Sequence, residues 1–294
     1  MYKRILVPLD GSDLSAGVLP YIRWLGPALK VPVELLHVND PDRLARSAPS
    51  MQHGDYLKKV AASFPQFAGV KCSVVAGNPA QVIIDSASAM PETLIAMATH
   101  GYSGAIRWLL GSVAEKVFQA ATSDLLLVRP EAPDQSGAVR LEKLLVALDG
   151  SEAAEKVLAV VSEMADQFDL EILLVHVTKH FYAGPPEAIL PVFGAVPNLK
   201  ELWEQDKIQG NKYLSEKEAR LRAQGIAHLS TRLLEGGVDG AAGEIVDLAQ
   251  KIPGSLIAMT SHGHTGIGRW LVGSVTRRVV QHSRRPVLVV RSQS

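Results

Sequence analysis

Residues 97–113 read M-A-T-H-G-Y-S-G-A-I-R-W-L-L-G-S-V, and residues 259–275 read M-T-S-H-G-H-T-G-I-G-R-W-L-V-G-S-V. The same phrase occurs twice, 162 positions apart. Each copy holds a His-Gly pair, a loop of small residues, an Arg-Trp-Leu stretch and a closing Gly-Ser-Val. A self-similarity of this length predicts one architecture built twice. A glycine loop that runs into a helix is also a candidate phosphate cradle, here in duplicate.

The repeat reaches back to the start of each half. Ile5 to Ser12 (I-L-V-P-L-D-G-S) matches Leu145 to Ser151 (L-V-A-L-D-G-S), with Asp10 and Asp149 offset by 139. Leu35-Leu36-His37-Val38 matches Leu174-Val175-His176-Val177 at that same offset. The offset grows to 162 by the glycine loops, so the second half carries about 23 extra residues. They are expected as an insertion at about 178–212, where Gly184-Pro185-Pro186, Pro191 and Pro197 lie. The expected organisation is a first domain over 1–130, a polar linker over 131–140 and a second domain over 141–294, each of ordinary domain size.

Apolar residues make up 47% of the 294-residue chain and charged residues 20%, enough to bury two cores. Thirty Lys and Arg balance thirty Asp and Glu. Zero net charge argues against nucleic acid or an anionic membrane as partner. Arg277-Arg278 and Arg284-Arg285 read as a solvated helix face and its end. The single cysteine, Cys72, cannot form an intrachain disulfide and fits a reducing compartment. It stands in an apolar run and is expected to be buried. Met1-Tyr2-Lys3-Arg4 leads into a strand without a signal-peptide pattern, and no apolar run nears the roughly 18 residues of a membrane span. The expected location is the cytoplasm.

Short apolar runs alternate with helical patterns. Strands are expected at 5–9, 33–38, 72–75, 93–98 and 125–128, then near 144–148, 171–177, 229–234, 255–259 and 287–290. Helices are expected from Ser12 to Leu25, over 51–64, 80–89 and 112–121, and as a long charged helix over 199–223. This alternation predicts an α/β fold with a parallel sheet and right-handed crossovers. Ligands of such sheets bind beyond the carboxyl ends of the strands. The Asp10 turn and the Gly101 loop both lie there, and they share one crevice if the first and fourth strands are neighbours.

The chemistry at that crevice points to binding. Gly111-Ser112-Val113 opens a helix whose free N–H groups suit phosphate oxygens, and the Ser112 hydroxyl adds a donor. Asp10 can accept from ribose hydroxyls or adenine. Pro8, Val38 and Met97 can form an apolar slot for a base, next to Ala98, His100 and Gly101. The second copy offers Asp149, Val177, Met259, Thr260, Gly263, Gly273, Ser274 and Val275. No G-x-x-x-x-G-K-[ST] loop and no G-x-G-x-x-G after the first strand is present, so a vigorous NTPase is not indicated. His100 and His262 read as loop-orienting residues more readily than as bases, and His37 and His176 as packing residues. Trp108 and Trp270 read as packing anchors, while Arg107 and Arg269 lie close enough to the loop to meet phosphates. No catalytic residue and no metal cluster is identified from spacing.

The chain resembles the universal stress protein family, in a tandem form with two domains. The resemblance rests on the I-L-V-P-L-D-G-S opening, the L-L-H-V second strand, the loop ending L-L-G-S-V-A-E-K-V, and the final strands Leu125–Val128 and Val287–Val290, each followed by Arg. It implies two tandem five-stranded parallel-sheet domains of the adenine nucleotide α-hydrolase-like type, with flavodoxin-like or Rossmann-like layering. It also implies that the final strands pair the two domains into an internal pseudo-dimer. ATP-binding members carry G-x2-G-x9-G-[S/T]. Carried over, its second and third glycines and hydroxyl are Gly101, Gly111 and Ser112, and again Gly263, Gly273 and Ser274. Asp10 and Asp149 match the adenosine-side aspartate, and Val38 and Val177 the base-pocket valine. The first motif glycine is Ala98 in one half and Thr260 in the other, and Pro8 becomes Ala147. These departures rank the first half as the better site.

The leading expectation is a stress-response protein that binds ATP, with or without Mg2+, lacks rapid turnover, and associates as a homodimer of tandem chains. A decayed interaction module without nucleotide is the first alternative. A slow ATPase or self-phosphorylating protein, using Ser112, Ser274 or a pocket histidine, is the second.

Overall fold

Each half opens on a strand whose residues are buried on both faces, the pattern of a parallel strand with helices above and below. The computed structural model describes residues 2–41, 53–64, 69–100, 110–130, 139–178, 199–261 and 272–291. The first half runs β1 (Arg4–Pro8), α1 (Asp13–Ala16), α2 (Leu19–Leu29), β2 (Val33–Asn39), α3 (His53–Ala62), β3 (Val70–Ala76), α4 (Pro79–Ser88), β4 (Thr93–Ala98), α5 (Ser112–Ala120) and β5 (Leu125–Val128). The second runs β6 (Lys143–Leu148), α6 (Glu152–Glu155), α7 (Val157–Phe168), β7 (Glu171–Val177), α8 (Leu199–Ala223), β8 (Leu229–Leu234), α9 (Gly240–Gln250), β9 (Ser255–Thr260), α10 (Ser274–His282) and β10 (Val287–Val290).

All ten strands form one sheet in the order β3-β2-β1-β4-β5-β10-β9-β6-β7-β8. Pairing is parallel within each half, and β1 lies beside β4 as the shared crevice requires. The halves meet where β5 and β10 pair antiparallel, Leu126 opposite Leu288, which is the pairing expected of the final strands. One core lies on the face covered by α2, α3, α7 and α8, and the other on the face covered by α4, α5, α9 and α10.

The seam is tied at several levels. Arg129 Nη1 donates to the Gln281 carbonyl at the end of α10 (3.2 Å), and Arg291 Nη2 donates to the Phe118 carbonyl near the end of α5 (2.5 Å). Guanidinium groups suit the negative ends of helices. Asp124 accepts from the Arg291 N–H (2.7 Å) and the Tyr2 hydroxyl (2.9 Å). Burial pulls Arg291 down to about 10 against the opposing pull of Asp124, and burial pushes the Asp124 carboxyl up.

Three expectations need correction. The helix expected from Ser12 to Leu25 is two helices: α1 ends at Gly17, and α2 begins at Leu19 with a proline in its first turn, where no N–H is needed. Cys72 is exposed, because β3 is an outer strand with β2 as its sole sheet neighbour. Arg277 and Arg285 are structural links: Arg277 contacts Glu115 across the seam, and Arg285 bonds the Ala249 carbonyl (3.3 Å) at the end of α9. Of the insertion at 178–212, residues 179–198 lie outside the described residues, and 199–212 form the start of α8. That helix lies close on β8 because Gly210 has no side chain: a Cβ there would sit 2.7 Å from Leu233 Cδ1.

Arg4 anchors the amino end of β1. It is 8% exposed, bonds Glu34 Oε2 at 2.8 Å and Thr93 Oγ1 at 3.2 Å, and caps the Ser86 carbonyl at 2.6 Å. Arg4→Ala leaves the largely buried Glu34 carboxylate with the Ser73 hydroxyl as its remaining donor among the described residues, and should cost about 3 kcal/mol in denaturant unfolding. A loss below about 1 kcal/mol would show that the Glu34 carboxylate is not desolvated. Partial burial pushes the Cys72 thiol up, against the pull of Lys58. A thiol reagent should therefore label Cys72 in the folded protein, at a rate below free cysteine near pH 8 and rising with pH; absence of labelling would contradict its exposure.

Candidate functional site

Both halves build the same turn after their first strand. Asp10 Oδ1 accepts from the Ser12 N–H (2.9 Å) and the Ser12 hydroxyl (2.5 Å). Asp149 Oδ1 does the same with Ser151 (3.0 and 2.6 Å). The serines then cap α1 and α6, accepting from the N–H of Ser15 and Ala154, both at 3.1 Å. Gly11 and Gly150 hold φ of +85° and +89°, which side-chain-bearing residues avoid. One carboxylate oxygen of each aspartate is thus committed to the turn, and the carboxylate is held at the carboxyl end of the strand. Asp10 is half-buried and Asp149 exposed.

His37 and His176 brace these turns. Each Nδ1 lies 2.8 Å from a carbonyl, Leu9 in the first half and Leu148 in the second. A carbonyl only accepts, so Nδ1 carries the proton. This matches the packing role expected of both histidines.

The glycine loops are stitched at their ends. Gly111 N–H donates to the Thr99 carbonyl at 2.8 Å, and Thr99 N–H to the Val128 carbonyl at 2.8 Å. The second half repeats this with Gly273 to Ser261 (2.8 Å) and Ser261 to Val290 (3.0 Å). Gly111 and Gly273 are the N-caps of α5 and α10, with φ of −59° and −58° and no side-chain cap. Any residue adopts that backbone. The backbone at these two positions therefore does not by itself require glycine. Ser112 and Ser274 are exposed at these helix starts.

An apolar wall lies at the carboxyl ends of the same strands in each half. Val38, Met97, Leu110 and Val113 pack on the α4/α5 core, and Pro8 follows Leu6 on that face by strand alternation. Val177, Met259 and Val272 repeat the wall, with Ala147 in place of Pro8. Ala98 and Thr260 are buried on the other face, in line with Ala96 and Ala258. The methyl and hydroxyl of Thr260 thus point away from the Met259 wall, so its bulk does not narrow that slot. The Thr260 carbonyl accepts from Thr276 Oγ1 at 2.9 Å, a contact the first half cannot make because Ala114 stands there.

His100 Nδ1 lies 3.0 Å from Thr99 Oγ1, and its Nε2 is buried with no hydrogen-bond partner among the described residues. Gly101, Arg107, Trp108, His262, Gly263, Arg269 and Trp270 lie outside the described residues. The structure brings Pro8, Asp10, Val38, Met97, Ala98, His100, Gly111, Ser112 and Val113 to the carboxyl ends of β1, β2 and β4, and their counterparts Asp149, Val177, Met259, Thr260, Gly273, Ser274 and Val275 to those of β6, β7 and β9. Among the described residues no group of three His, Cys, Asp or Glu is placed to hold a metal ion.

Two tyrosines escaped the sequence reading. Burial pushes the Tyr56 phenol up, and the Asp10 and Asp13 charges add to it. Burial likewise pushes Tyr213 up, followed by Glu155 and Asp149. Each half therefore sets a phenol beside its Asp-Gly-Ser turn. The signal was a Tyr-Leu pair repeated at 56–57 and 213–214, whose leucines are both core residues. Tyr213 also faces His176, with ring centroids 5.7 Å apart.

Gly11→Ala tests the turn. The added methyl meets nothing within 4 Å, so the whole cost is backbone strain, about 1–2 kcal/mol in urea unfolding. An unchanged midpoint would mean that the turn relaxes out of its left-handed form.

The model of the universal stress protein family matches residues 1–129 and 140–291. A universal stress protein of Methanocaldococcus jannaschii is 30% identical over 157 residues, covering 53% of this chain and 86% of the relative. One of Mycolicibacterium smegmatis is 24% identical over 307 residues, covering 96% of each. The crystal structure of a universal stress protein from Archaeoglobus fulgidus aligns with a TM-score of 0.67 at 22% identity, over 99% of this chain and 97% of that one.

Proposed function

Because this chain belongs to the universal stress protein family, we propose that it binds an adenine nucleotide, ATP foremost, at the loop of its first half and acts as a nucleotide-dependent regulatory or protective protein. The observation that carries this reading is the pair of uncapped helix starts at Gly111 and Gly273, whose glycines the backbone does not require. First-turn N–H groups at a positive helix end suit phosphate oxygens. Gly111, Ser112 and Val113 would hold the phosphates, Asp10 the ribose, and Pro8, Val38 and Met97 the base. Gly101, Ala98 and His100 complete the loop side. Any Mg2+ would arrive with the phosphates, since the described residues supply no metal cluster of their own.

The second half would bind through Asp149, Val177, Met259, Thr260, Gly263, Gly273, Ser274 and Val275, and more weakly. Its aspartate is exposed, and alanine replaces the proline wall. The Thr260 side chain is not the obstacle, because it lies on the other face. Bound nucleotide acts on conformation only through differential affinity for two states. Hydrolysis, if any, would be slow. No helix among the described residues is long and apolar enough to cross a membrane, and a cytoplasmic site of action is part of the proposal. So is the division into domains 1–130 and 141–294. A homodimer of tandem chains would need a surface other than β5 and β10, which already pair with each other.

Gentle purification, acid extraction and mass spectrometry of released small molecules test the reading. About one ATP or ADP per chain is expected, with calorimetry giving a matching stoichiometry. Gly111→Val should weaken binding at least about tenfold without unfolding the protein, because its φ admits a side chain. Asp10→Asn keeps the turn acceptor and removes the charge, and should weaken binding by a smaller factor. Neither nucleotide in the extract nor heat on titration with ATP would sink the proposal and favour the interaction-module reading.

A further inference from the structure

Glu115 and Arg277 are equivalent residues of the two halves, 162 positions apart. Each is the fourth residue after its loop glycine and donates its N–H to that glycine's carbonyl, at 2.8 Å to Gly111 and 2.9 Å to Gly273. They also contact each other: Arg277 Nη1 donates to Glu115 Oε1, an ion pair with side chains 35% and 26% exposed. In a two-fold arrangement a residue that meets its own equivalent lies at the axis. The Glu115–Arg277 pair therefore marks the pseudo-axis that relates the halves.

Opposite charges at this place carry information about pairing. The first half paired with a copy of itself would set Glu115 against Glu115. The second paired with its copy would set Arg277 against Arg277. Like charges in contact repel, and the seam excludes part of the water that would screen them. The other face of the sheet holds a second one-way contact. Trp24 of α2 stacks on Phe168 of α7, with centroids 4.6 Å apart and planes 26° from parallel. Their equivalents, at the offset of 139, are Glu163 and Leu29. Copies of the first half would bring tryptophan to leucine, and copies of the second glutamate to phenylalanine. The stack forms only between unlike halves. Asp124 adds a third asymmetry: it holds the Arg291 N–H and the Tyr2 hydroxyl, while its equivalent is Pro286, which offers no acceptor side chain.

We infer that the β5/β10 seam is a recognition surface that accepts only the unlike half, with the Glu115–Arg277 pair as its charge determinant and the Trp24–Phe168 stack as its shape determinant. Its partner is the second half of this chain, and a copy of the first half is rejected. The device favours the desired pairing and penalises the alternative at once. Around Glu115 the nearby polar group on its own helix is Gln119, which also donates to Glu115 Oε1. On the facing helix Arg277 answers it, while Arg278 points to Asp239 at 3.6 Å.

A double-mutant cycle in the full-length chain tests this. E115R and R277E each create like charges at the axis, and E115R/R277E restores opposite charges with the partners exchanged. Each single reversal should raise the unfolded-to-folded ratio, by about tenfold for E115R and less for R277E, because an acid in a first helical turn is itself favourable. The double variant should return to within about threefold of wild type. Amide exchange at 125–128 and 287–290 should accelerate in the single variants and recover in the double, while β1 and β2 stay protected. Coupling with recovery at the seam supports the inference. Additive reversals, or exchange at the seam that the double variant does not recover, would overturn it. Either outcome is independent of whether ATP binds.

Discussion

The antiparallel pairing of β5 with β10 is the constraint on which the rest of the molecule depends. Both strands are four buried apolar residues, L-L-L-V and V-L-V-V. In an isolated half each would be an outer strand with open N–H and C=O groups, the most association-prone feature a sheet can have. Joining the two removes both edges and leaves β3 and β8 as the outer strands, one exposed and the other covered by α8. The arginines that end the two strands then reach into the opposite half and meet the carbonyl ends of α10 and α5. Burial of this layer is what makes the partnered acid and cations of the seam worth having, since a single one left alone would be a desolvated charge.

The same pairing sets the geometry of the candidate sites. Strands of one half run parallel, so both of its loops, after β1 and after β4, open at one end of the sheet. The antiparallel seam turns the second half about, relating the two sites by the pseudo-axis at Glu115 and Arg277. Within each site the work is divided. The Asp-Gly-Ser turn spends one carboxylate oxygen on its own backbone, a histidine braces the strand end, and the glycine loop is tied down at both ends by Thr99 or Ser261. Among the described residues, the first turns of α5 and of α10 have no side-chain cap.

The halves differ where a repeat reading is least able to see it. The resemblance marks Thr260 as a departure from the first motif glycine, which by itself says nothing of where its side chain goes. Strand alternation turns that side chain to the face of Ala258, and Thr276, which replaces Ala114, bonds the Thr260 carbonyl through its hydroxyl. Cys72 looked buried because its run is apolar, yet apolarity says nothing of a strand's place in the sheet order. Arg277 looked solvated for the converse reason: charge on a helix face marks exposure only if no other helix faces it. Tyr56 and Tyr213 were readable, as a repeated Tyr-Leu pair, but lay under a different offset from the one that organised the rest.

Local pattern was sufficient for the elements, the alternation of strand and helix, the duplication and the place of the phosphate-cradle candidates. These follow from the chain's own spacing: apolar runs, capping residues and glycines act on neighbours a few positions away. Sheet order was not local. That β5 finds β10 across the seam had to be taken from resemblance. The opposition of Glu115 to Arg277, the stack of Trp24 on Phe168 and the exposure of Cys72 emerged only in the folded molecule. Each depends on which residues meet after more than a hundred others have been placed, and contact at that separation is a property of packing, which no spacing along the chain encodes.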